Sequence, residues 1–337
     1  MKKFLSLLIA AMIFLASASS VFAIPEIECP NITKSECNII SQEFPDAYIL
    51  TNIIDPREIH ISADGNEITI NNTTPEEQND IRKIIEDNPE LKTMLSEDSK
   101  SLGQIITATV FVEEEHAVID GNLMTTSSRL LSKSEVEAIG IENFESLGNQ
   151  NLPSSRAATN SRGKLTITFS GSGSHSQTAS QYTVSAKARW DGFNFLYSAT
   201  NNPAVGEDFF GLAWGGGFTY RNVSYNAKWN NGGTQSIYLS DAVPNAGLVC
   251  SFYEYRNVSG KYNIYVSEAN LSANLYKNKL TGNGNTTEVI CKYIHTYQSS
   301  TGSISFSASP SGVGAGFSLG GTDKQWSIVC TITNLYY

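Results

Sequence analysis

Apolar and polar residues alternate along most of the chain from residue 164 onward, and this period of two is typical of β-strands with one buried face. Glycine, asparagine, aspartate and proline separate the alternating segments, as chain reversals require. The segments are KLTITFSG, QYTVSAKARW, GLAWGGGFTY, VSYNAKW, LVCSFYEY, NIYVSEANLSANLYKN, TEVICKYIHTYQ and WSIVCTITNLYY. With the hairpin described next, they predict roughly nine to eleven antiparallel strands, and hence a mainly β chain with an antiparallel β-sandwich domain over 164–337.

The segment GSISFSASPSGVGAGFSLGG at 302–321 predicts a two-stranded hairpin. Ile304 and Phe306 share one phase before the turn, and Phe317 and Leu319 share one phase after it. Serine and glycine occupy the opposite phase, which suits an exposed sheet face and also the lumen of a pore. A membrane-crossing strand needs about 9–11 residues, and each arm is shorter. The length favours an ordinary sandwich hairpin, and entry into a membrane stays open as the alternative.

Residues 24–147 predict a small α+β domain that precedes the sandwich. A hairpin is expected at 58–70, where isoleucines alternate on both sides of an Asp-Gly turn. A helix is expected to begin at Pro75, and a second amphipathic helix is expected over 131–148. The inward positions of these elements are Ile59, Ile61, Ile68, Ile70, Ile81, Ile84, Ile85, Val136, Ile139 and Phe144.

A further pair of strands is predicted by the segment QIITATVFVEEEHAVIDGNLMTT, with its turn at Glu113–Glu115. Three consecutive carboxylates are more typical of a solvated turn than of a cation site. No calcium-loop pattern accompanies them.

Charge divides the chain where the strand pattern changes. Residues 24–150 contain 25 acidic and 8 basic residues, a net charge of −17, whereas residues 151–337 contain 8 acidic and 13 basic residues, a net charge of +5. The polar segment 148–163 between them predicts an exposed linker, with Arg156 and Arg162 as sites for proteolysis. We therefore expect either a pro-region that docks on the sandwich until the linker is cut, or an acidic domain that serves solubility.

The N-terminus predicts export. Lys2 and Lys3 precede an apolar run over 4–15, and Val21-Phe22-Ala23 fits a signal-peptide cleavage site, so residues 1–23 are expected to be removed. The run is shorter than the roughly 20 residues of a membrane-spanning helix. A secreted, extracellular protein of bacterial origin is expected.

The sequence contains no recognisable catalytic or metal motif. None of its histidines, His60, His116, His175 and His295, lies in a metal-binding spacing, and the adjacent Glu207 and Asp208 point to opposite faces if extended. We therefore predict no catalytic residue, no metal site and no cofactor. A net charge of +5 spread along strands also speaks against nucleic acid as a partner.

The aromatic segment at 189–225 is the candidate ligand surface. Aromatic rings beside short amide side chains suit a glycan or another cell-surface ligand, although the same rings also suit a sandwich core. The candidate ligand-binding residues are Trp190, Tyr197, Asn201, Asn202, Trp214 and Tyr220.

Five cysteines in an exported chain predict disulfides with one thiol left over. Cys29 and Cys37 are close in sequence and are expected to pair. Cys250, Cys291 and Cys330 allow three pairings, of which the phases of Cys250 and Cys330 favour one.

These patterns together favour a secreted, non-enzymatic binding or interaction protein. The first alternative is a membrane-active toxin, pore-forming or bacteriocin-like, with an acidic pro-region. The second alternative is a carbohydrate-active enzyme, whose paired carboxylates would have to come from distant strands.

Overall fold

The structure is a computed structural model. It describes, together with six helical residues between 75 and 86, residues 35–40, 44–54, 59–61, 68–71, 102–119, 122–146, 159–175, 179–192, 207–256, 264–278, 286–297, 303–307, 316–320 and 324–336.

The described residues form mainly antiparallel β-sheet, as the alternating pattern predicts. Six strands make up one sheet: β1 (Glu36–Ile40), β9 (Glu207–Trp214), β12 (Tyr238–Val243), β13 (Gly247–Tyr253), β16 (Thr286–Thr296) and β19 (Gln325–Tyr336). Their order across the sheet is β1-β19-β16-β9-β13-β12. The first described strand therefore pairs with the last one.

A second sheet has nine strands. They are β2 (Ile49–Ile54), β5 (Leu102–Ile119), β6 (Asn122–Leu130), β7 (Thr159–His175), β8 (Ala179–Asp191), β10 (Thr219–Trp229), β11 (Thr234–Gln235), β14 (Tyr255–Arg256) and β15 (Ile264–Asn278). The main order is β11-β10-β15-β8-β7-β5-β2, with β6 beside β5 and β14 beside β15.

Two hairpins complete the described strands, and both were predicted. β3 (Ile59–Ile61) pairs with β4 (Ile68–Ile70), and β17 (Ser303–Ser307) pairs with β18 (Gly316–Gly320). Phe306 lies opposite Phe317 in the second hairpin, as the shared phase of these residues predicts.

The helix expected over 131–148 is two short helices, α1 (Lys133–Ile139) and α2 (Asn143–Ser146). Ser132 and Glu135 form a reciprocal capping box at the start of α1. Gly140 ends α1 with a φ of +85°, a conformation that side chains with a Cβ rarely adopt. The other predicted helix is supported by its described residues, which are helical between 75 and 86; Ile81 and Ile84 lie outside the described residues.

Strand β5 joins the acidic part of the chain to the basic part. It runs through Glu113–Glu115 without a break and pairs with β7 from Leu102↔Ser172 to His116↔Thr159. The turn predicted at Glu113–Glu115 is therefore wrong. β7 also begins within the segment that was predicted to be a linker, and Arg162 there donates from Nε to Glu113 Oε1 at 2.7 Å.

The inner faces of the two sheets contribute to one hydrophobic cluster. Val110 and Ile167 of the nine-stranded sheet belong to it, together with Phe210, Leu248 and Ile328 of the six-stranded sheet. These residues occupy every second position of their strands, which explains why the apolar phase of the sequence is buried. No helix among the described residues is long and apolar enough to span a membrane.

The β17–β18 hairpin covers the outer face of the six-stranded sheet. Phe317 and Leu319 of the hairpin pack with Phe209, Val249 and Ile294. Gly211 and Gly247 make this approach possible. A Cβ on Gly211 would lie 2.5 Å from the ring of Phe317, and one on Gly247 would lie 2.5 Å from a backbone oxygen and 2.8 Å from the ring of Phe306.

One disulfide is present among the described residues, and it corrects both predicted pairings. Cys37 of β1 lies opposite Cys330 of β19 and is bonded to it, whereas Cys250 is a buried thiol. Short sequence separation suggested Cys29 as the partner of Cys37, but the pairing of β1 with β19 places Cys330 opposite Cys37; Cys29 lies outside the described residues. Cys291 is the other buried thiol, and burial raises the pKa of both thiols, that of Cys250 to about 12.

Cleavage of the chain within 147–158 is expected to leave two pieces that stay together. The β5–β7 ladder holds them without a covalent bond, and the Cys37–Cys330 disulfide adds a covalent link. A chain with an inserted protease site in this segment should, after cutting, give one band on a denaturing gel without reductant and two bands with reductant. Both samples should elute as one species from a sizing column in native buffer.

The Cys37→Ser variant is the control, and it should give two bands without reductant while still eluting as one species. Separate elution of the reduced pieces would contradict the shared sheet.

Candidate functional site

Five strands carry polar residues into one end of the space between the two sheets. In each strand the polar residue continues the inward apolar phase: Glu114 and His116 follow Val112 in β5, Asp208 precedes Phe210 in β9, Glu254 follows Phe252 beyond β13, His295 follows Tyr293 in β16, and Ser128 occupies the buried side of β6. We call Glu114, His116, Asp208, Glu254, Tyr293 and His295 the buried cluster.

His295 lies at the centre of the buried cluster, with carboxylates on both sides of its ring. Nδ1 is 3.1 Å from Asp208 Oδ1 and 3.4 Å from Glu254 Oε2, and Nε2 is 3.1 Å from Glu114 Oε1. The ring also packs against the indole of Trp326, with centroids 4.8 Å apart. The imidazole is fully buried and is fixed from all sides.

Glu114 connects the two histidines across the core. Its Oε2 lies 3.1 Å from His116 Nε2, while its Oε1 faces His295. Ser128 Oγ donates to Glu114 Oε1 at 3.4 Å and itself accepts from Trp326 Nε1 at 3.1 Å. This carboxylate, from the acidic part of the chain, is therefore bound to side chains of both sheets.

Asp208 holds the opposite side of the His295 ring. Its Oδ1 accepts from the backbone N–H of Thr296 at 3.1 Å, and its Oδ2 accepts from the Tyr293 hydroxyl. Tyr293 in turn accepts from Trp190 Nε1 at 2.9 Å. The chain of hydrogen bonds from Trp190 to Asp208 fixes the orientation of the carboxylate that fixes His295.

The electrostatics of the cluster follow from burial and from these contacts. Burial alone would raise the pKa of Glu114, but the His116 and His295 rings hold it well below its usual value. Burial alone would lower the pKa of His295, but Asp208, Glu254 and Glu114 raise it well above its usual value. Burial, together with Asp208 and Glu254, also raises the pKa of Tyr293.

The cluster combines the ligand types of a metal site with full enclosure. Glu114, Glu254 and His295 offer ligand atoms that all lie within 4.8 Å of one another. Chemistry on an external substrate would require that substrate to reach the carboxylates or the imidazoles, and these side chains are buried. The arrangement is suited to holding the two sheets together.

Three of the residues predicted to bind ligand lie among the described residues. Trp190 and Trp214 are buried core residues, with Trp214 Nε1 donating to the backbone oxygen of Phe218. Tyr220 is half-buried and packs edge-on against Trp214. The inward phase of strands β8 and β9 explains why the two tryptophans are buried. Tyr197, Asn201 and Asn202 lie outside the described residues.

A groove on the outer face of the nine-stranded sheet offers a concave surface to a ligand. Its volume is about 470 Å³, and strands β7, β8, β10 and β15 form it. Its lining residues are Ser172, Gly173, Gln181, Tyr182, Thr183, Arg221, Asn222, Asn274, Leu275 and Tyr276. The Arg221 guanidinium lies over the ring of Tyr276, 3.4 Å from the ring centroid.

Sequence reasoning missed both the buried cluster and the groove. The signal for the cluster was present: Glu114, His116, Asp208, Glu254 and His295 all share a phase with core residues of their own strands. The expectation that Glu207 and Asp208 point to opposite faces agrees with the structure, where Asp208 is buried and Glu207 is partly exposed. The groove exists because strands β8, β15 and β10 are neighbours, and this strand order could not be predicted from the sequence.

Comparison of the sequence with models of known protein families and with curated proteins gives no match.

Truncation of Trp190 tests its assignment to the core. Trp190→Ala is expected to lower the free energy of unfolding by about 3–5 kcal/mol, because a fully buried indole is removed. Trp190→Phe should cost less, since it keeps most of the packing and removes the hydrogen bond to Tyr293. Urea unfolding of both variants measures the difference, and a wild-type midpoint for Trp190→Ala would contradict the core assignment.

Proposed function

We propose that the protein is an exported, non-enzymatic binding protein built on a two-sheet β-sandwich, and that the outer-face groove binds a hydroxyl-rich ligand such as a glycan. The groove is the observation that carries this proposal. Its volume of about 470 Å³ falls within the roughly 300–1,000 Å³ of small-ligand sites.

The chemistry of the groove supports a hydroxyl-rich ligand. Ser172, Thr183, Asn274 and Asn222 lie side by side across four strands, each opposite the next in register. Hydroxyl and amide groups both donate and accept hydrogen bonds, as sugar hydroxyls do. Thr183 Oγ1 donates to Asn274 Oδ1 at 2.9 Å, so part of the row is already oriented.

The same lining supports binding more than catalysis. It contains no carboxylate, imidazole or thiol, which are the groups that most often act as acids, bases or nucleophiles. The buried cluster has such groups but is enclosed between the sheets. No described feature favours the carbohydrate-active enzyme.

Export is supported by the disulfide. Cys37–Cys330 is a buried structural bond, and such bonds form in oxidising compartments. Together with the apolar N-terminal run of the sequence, it supports a secreted, extracellular protein.

A paired substitution in the groove tests the proposed function. The full chain is screened on a glycan array, and the affinity for the strongest glycan is measured by titration calorimetry. Asn222→Ala with Asn274→Ala should raise Kd by about tenfold or more, because each lost hydrogen bond is worth about 0.5–1.5 kcal/mol.

Asn226→Ala with Asn270→Ala is the matched control. These asparagines occupy the same two strands, lie opposite each other and share a hydrogen bond of 3.0 Å, but they do not line the groove. The control should bind as the wild type does. Equal losses in both pairs, or no glycan bound by the wild type, would remove the proposal.

Action on membranes is the second candidate function, and the β17–β18 hairpin favours it. The two strands pair with each other and with no other described strand. The hairpin is attached through apolar side chains and through side-chain hydrogen bonds, among them Lys292 Nζ to the backbone oxygen of Phe317 at 2.9 Å. Detachment would therefore break no strand ladder of the two sheets.

Dye release from lipid vesicles tests this candidate with the full chain. If the hairpin enters the bilayer, micromolar wild-type protein should release dye, and Phe306→Asp should abolish release because a charge is costly on the lipid-facing side. Ser305→Asp, on the exposed side of the same strand, should keep the activity. Absence of release by the wild type would rule the candidate out.

A further inference from the structure

Two imidazole nitrogens face one carboxylate inside the buried cluster. His116 Nε2 and His295 Nε2 each lie 3.1 Å from an oxygen of Glu114. All three side chains are fully buried. Glu114, Glu254 and His295 offer ligand atoms within 4.8 Å of one another, and imidazole nitrogen with carboxylate oxygen is a ligand set that zinc and other first-row divalent metals use.

The environment of His295 Nε2 points to an ion at this position. It is buried and makes no hydrogen bond to any described group, although Glu114 Oε1 is 3.1 Å away. The Nε2–H direction is therefore not aligned with that oxygen. A buried polar atom without a hydrogen bond is costly, and a metal ion would satisfy it.

The other nitrogen of His295 has the partner that a metal ligand requires. Nδ1 lies 3.1 Å from Asp208 Oδ1, and Asp208 is held by Thr296 and Tyr293. Metal-binding histidines commonly donate their second N–H to a carboxylate, which fixes the ring and makes the free nitrogen a better ligand. His116 is arranged in a related way, with Thr125 Oγ1 at 3.4 Å from its Nδ1.

Distances and charge agree with an ion of this kind. With metal–ligand bonds of about 2.0–2.2 Å, neighbouring ligand atoms of a tetrahedral ion lie about 3.3 Å apart; His295 Nε2 and Glu114 Oε1 are 3.1 Å apart, and the ligand atoms of Glu114, Glu254 and His295 all lie within 4.8 Å of one another. A dication offsets two of the negative charges of Glu114, Asp208 and Glu254. Calcium and magnesium prefer oxygen ligands only, so the imidazole nitrogen of His295 selects against them.

We propose that Glu114, Glu254 and His295 bind a Zn²⁺ ion, that His116 positions Glu114 through its other oxygen, and that Asp208 positions His295. The site is closed, as structural zinc sites are. The ion joins β5 of the nine-stranded sheet to β16 of the six-stranded sheet, and so fastens the acidic part of the chain to the rest.

Metal content of the full chain is the first test. Protein produced in zinc-supplemented medium and purified without chelator should contain one zinc ion per chain, as measured by elemental mass spectrometry. Glu114→Gln and His295→Gln should lower this content at least about tenfold. Glu113→Gln is the matched control, because Glu113 is the neighbouring carboxylate of the same strand but binds Arg129 and Arg162 on the other face; it should keep the metal.

Cobalt substitution of the wild type keeps the test decisive if the cluster variants do not fold. Chain unfolded and refolded with Co²⁺, with its disulfide intact, should show visible ligand-field absorption, and refolding with Zn²⁺ should raise Tm above that of protein refolded with chelator. Wild type without metal, without cobalt absorption and with an unchanged Tm would overturn the site. Equal zinc in the wild type and in folded Glu114→Gln would identify adventitious surface binding and would also overturn it.

Discussion

The contact between Glu114 and His295 is the interaction on which the relation between the two sheets depends. Burying charged groups is costly unless each one finds its partners, and removing one partner costs about 3–5 kcal/mol. Glu114 finds its partners only when β5 lies in one register opposite β16, with Trp326 and Ser128 beside it. A slip of one residue would turn Glu114 and His116 to the outer face and bring Glu113 and Glu115 into the core. The polar cluster thus reinforces the alignment that the alternating apolar residues of the same strands favour.

Much of the fold could be predicted from local alternation, because that signal acts within a single strand. The hairpins at Ile59–Ile70 and at Phe306–Phe317, the helix around Val136 and the run of strands after residue 164 all follow from the spacing of apolar residues. Glu113–Glu115 was misjudged because three consecutive carboxylates fit an exposed turn as well as they fit a strand that buries one of them. His295, which faces Glu114 in the core, lies about 180 residues further along the chain.

Composition misled where charge was interpreted as a boundary. The acidic part contributes β1 to one sheet and β2, β5 and β6 to the other, so its negative charge is distributed over strands that are shared with the basic part. Glu113 with Arg162 shows how the two charge signs meet along one pair of strands. The candidate site could not be predicted from the sequence for a related reason. Its five strands come from distant segments, and only pairing order tells which strand ends meet.

The pairing of β1 with β19 has a consequence for the order of folding. The two bonded cysteines are separated by 293 positions, so β1 emerges during synthesis long before β19, its neighbour among the described strands, exists. Until β19 arrives, β1 presents unpaired backbone groups and an unbonded thiol, a state in which strands are prone to wrong pairing. Such distant contacts also slow folding, because a long loop must close before they form. β1 and Cys37 therefore reach their final partners only after β19 is in place.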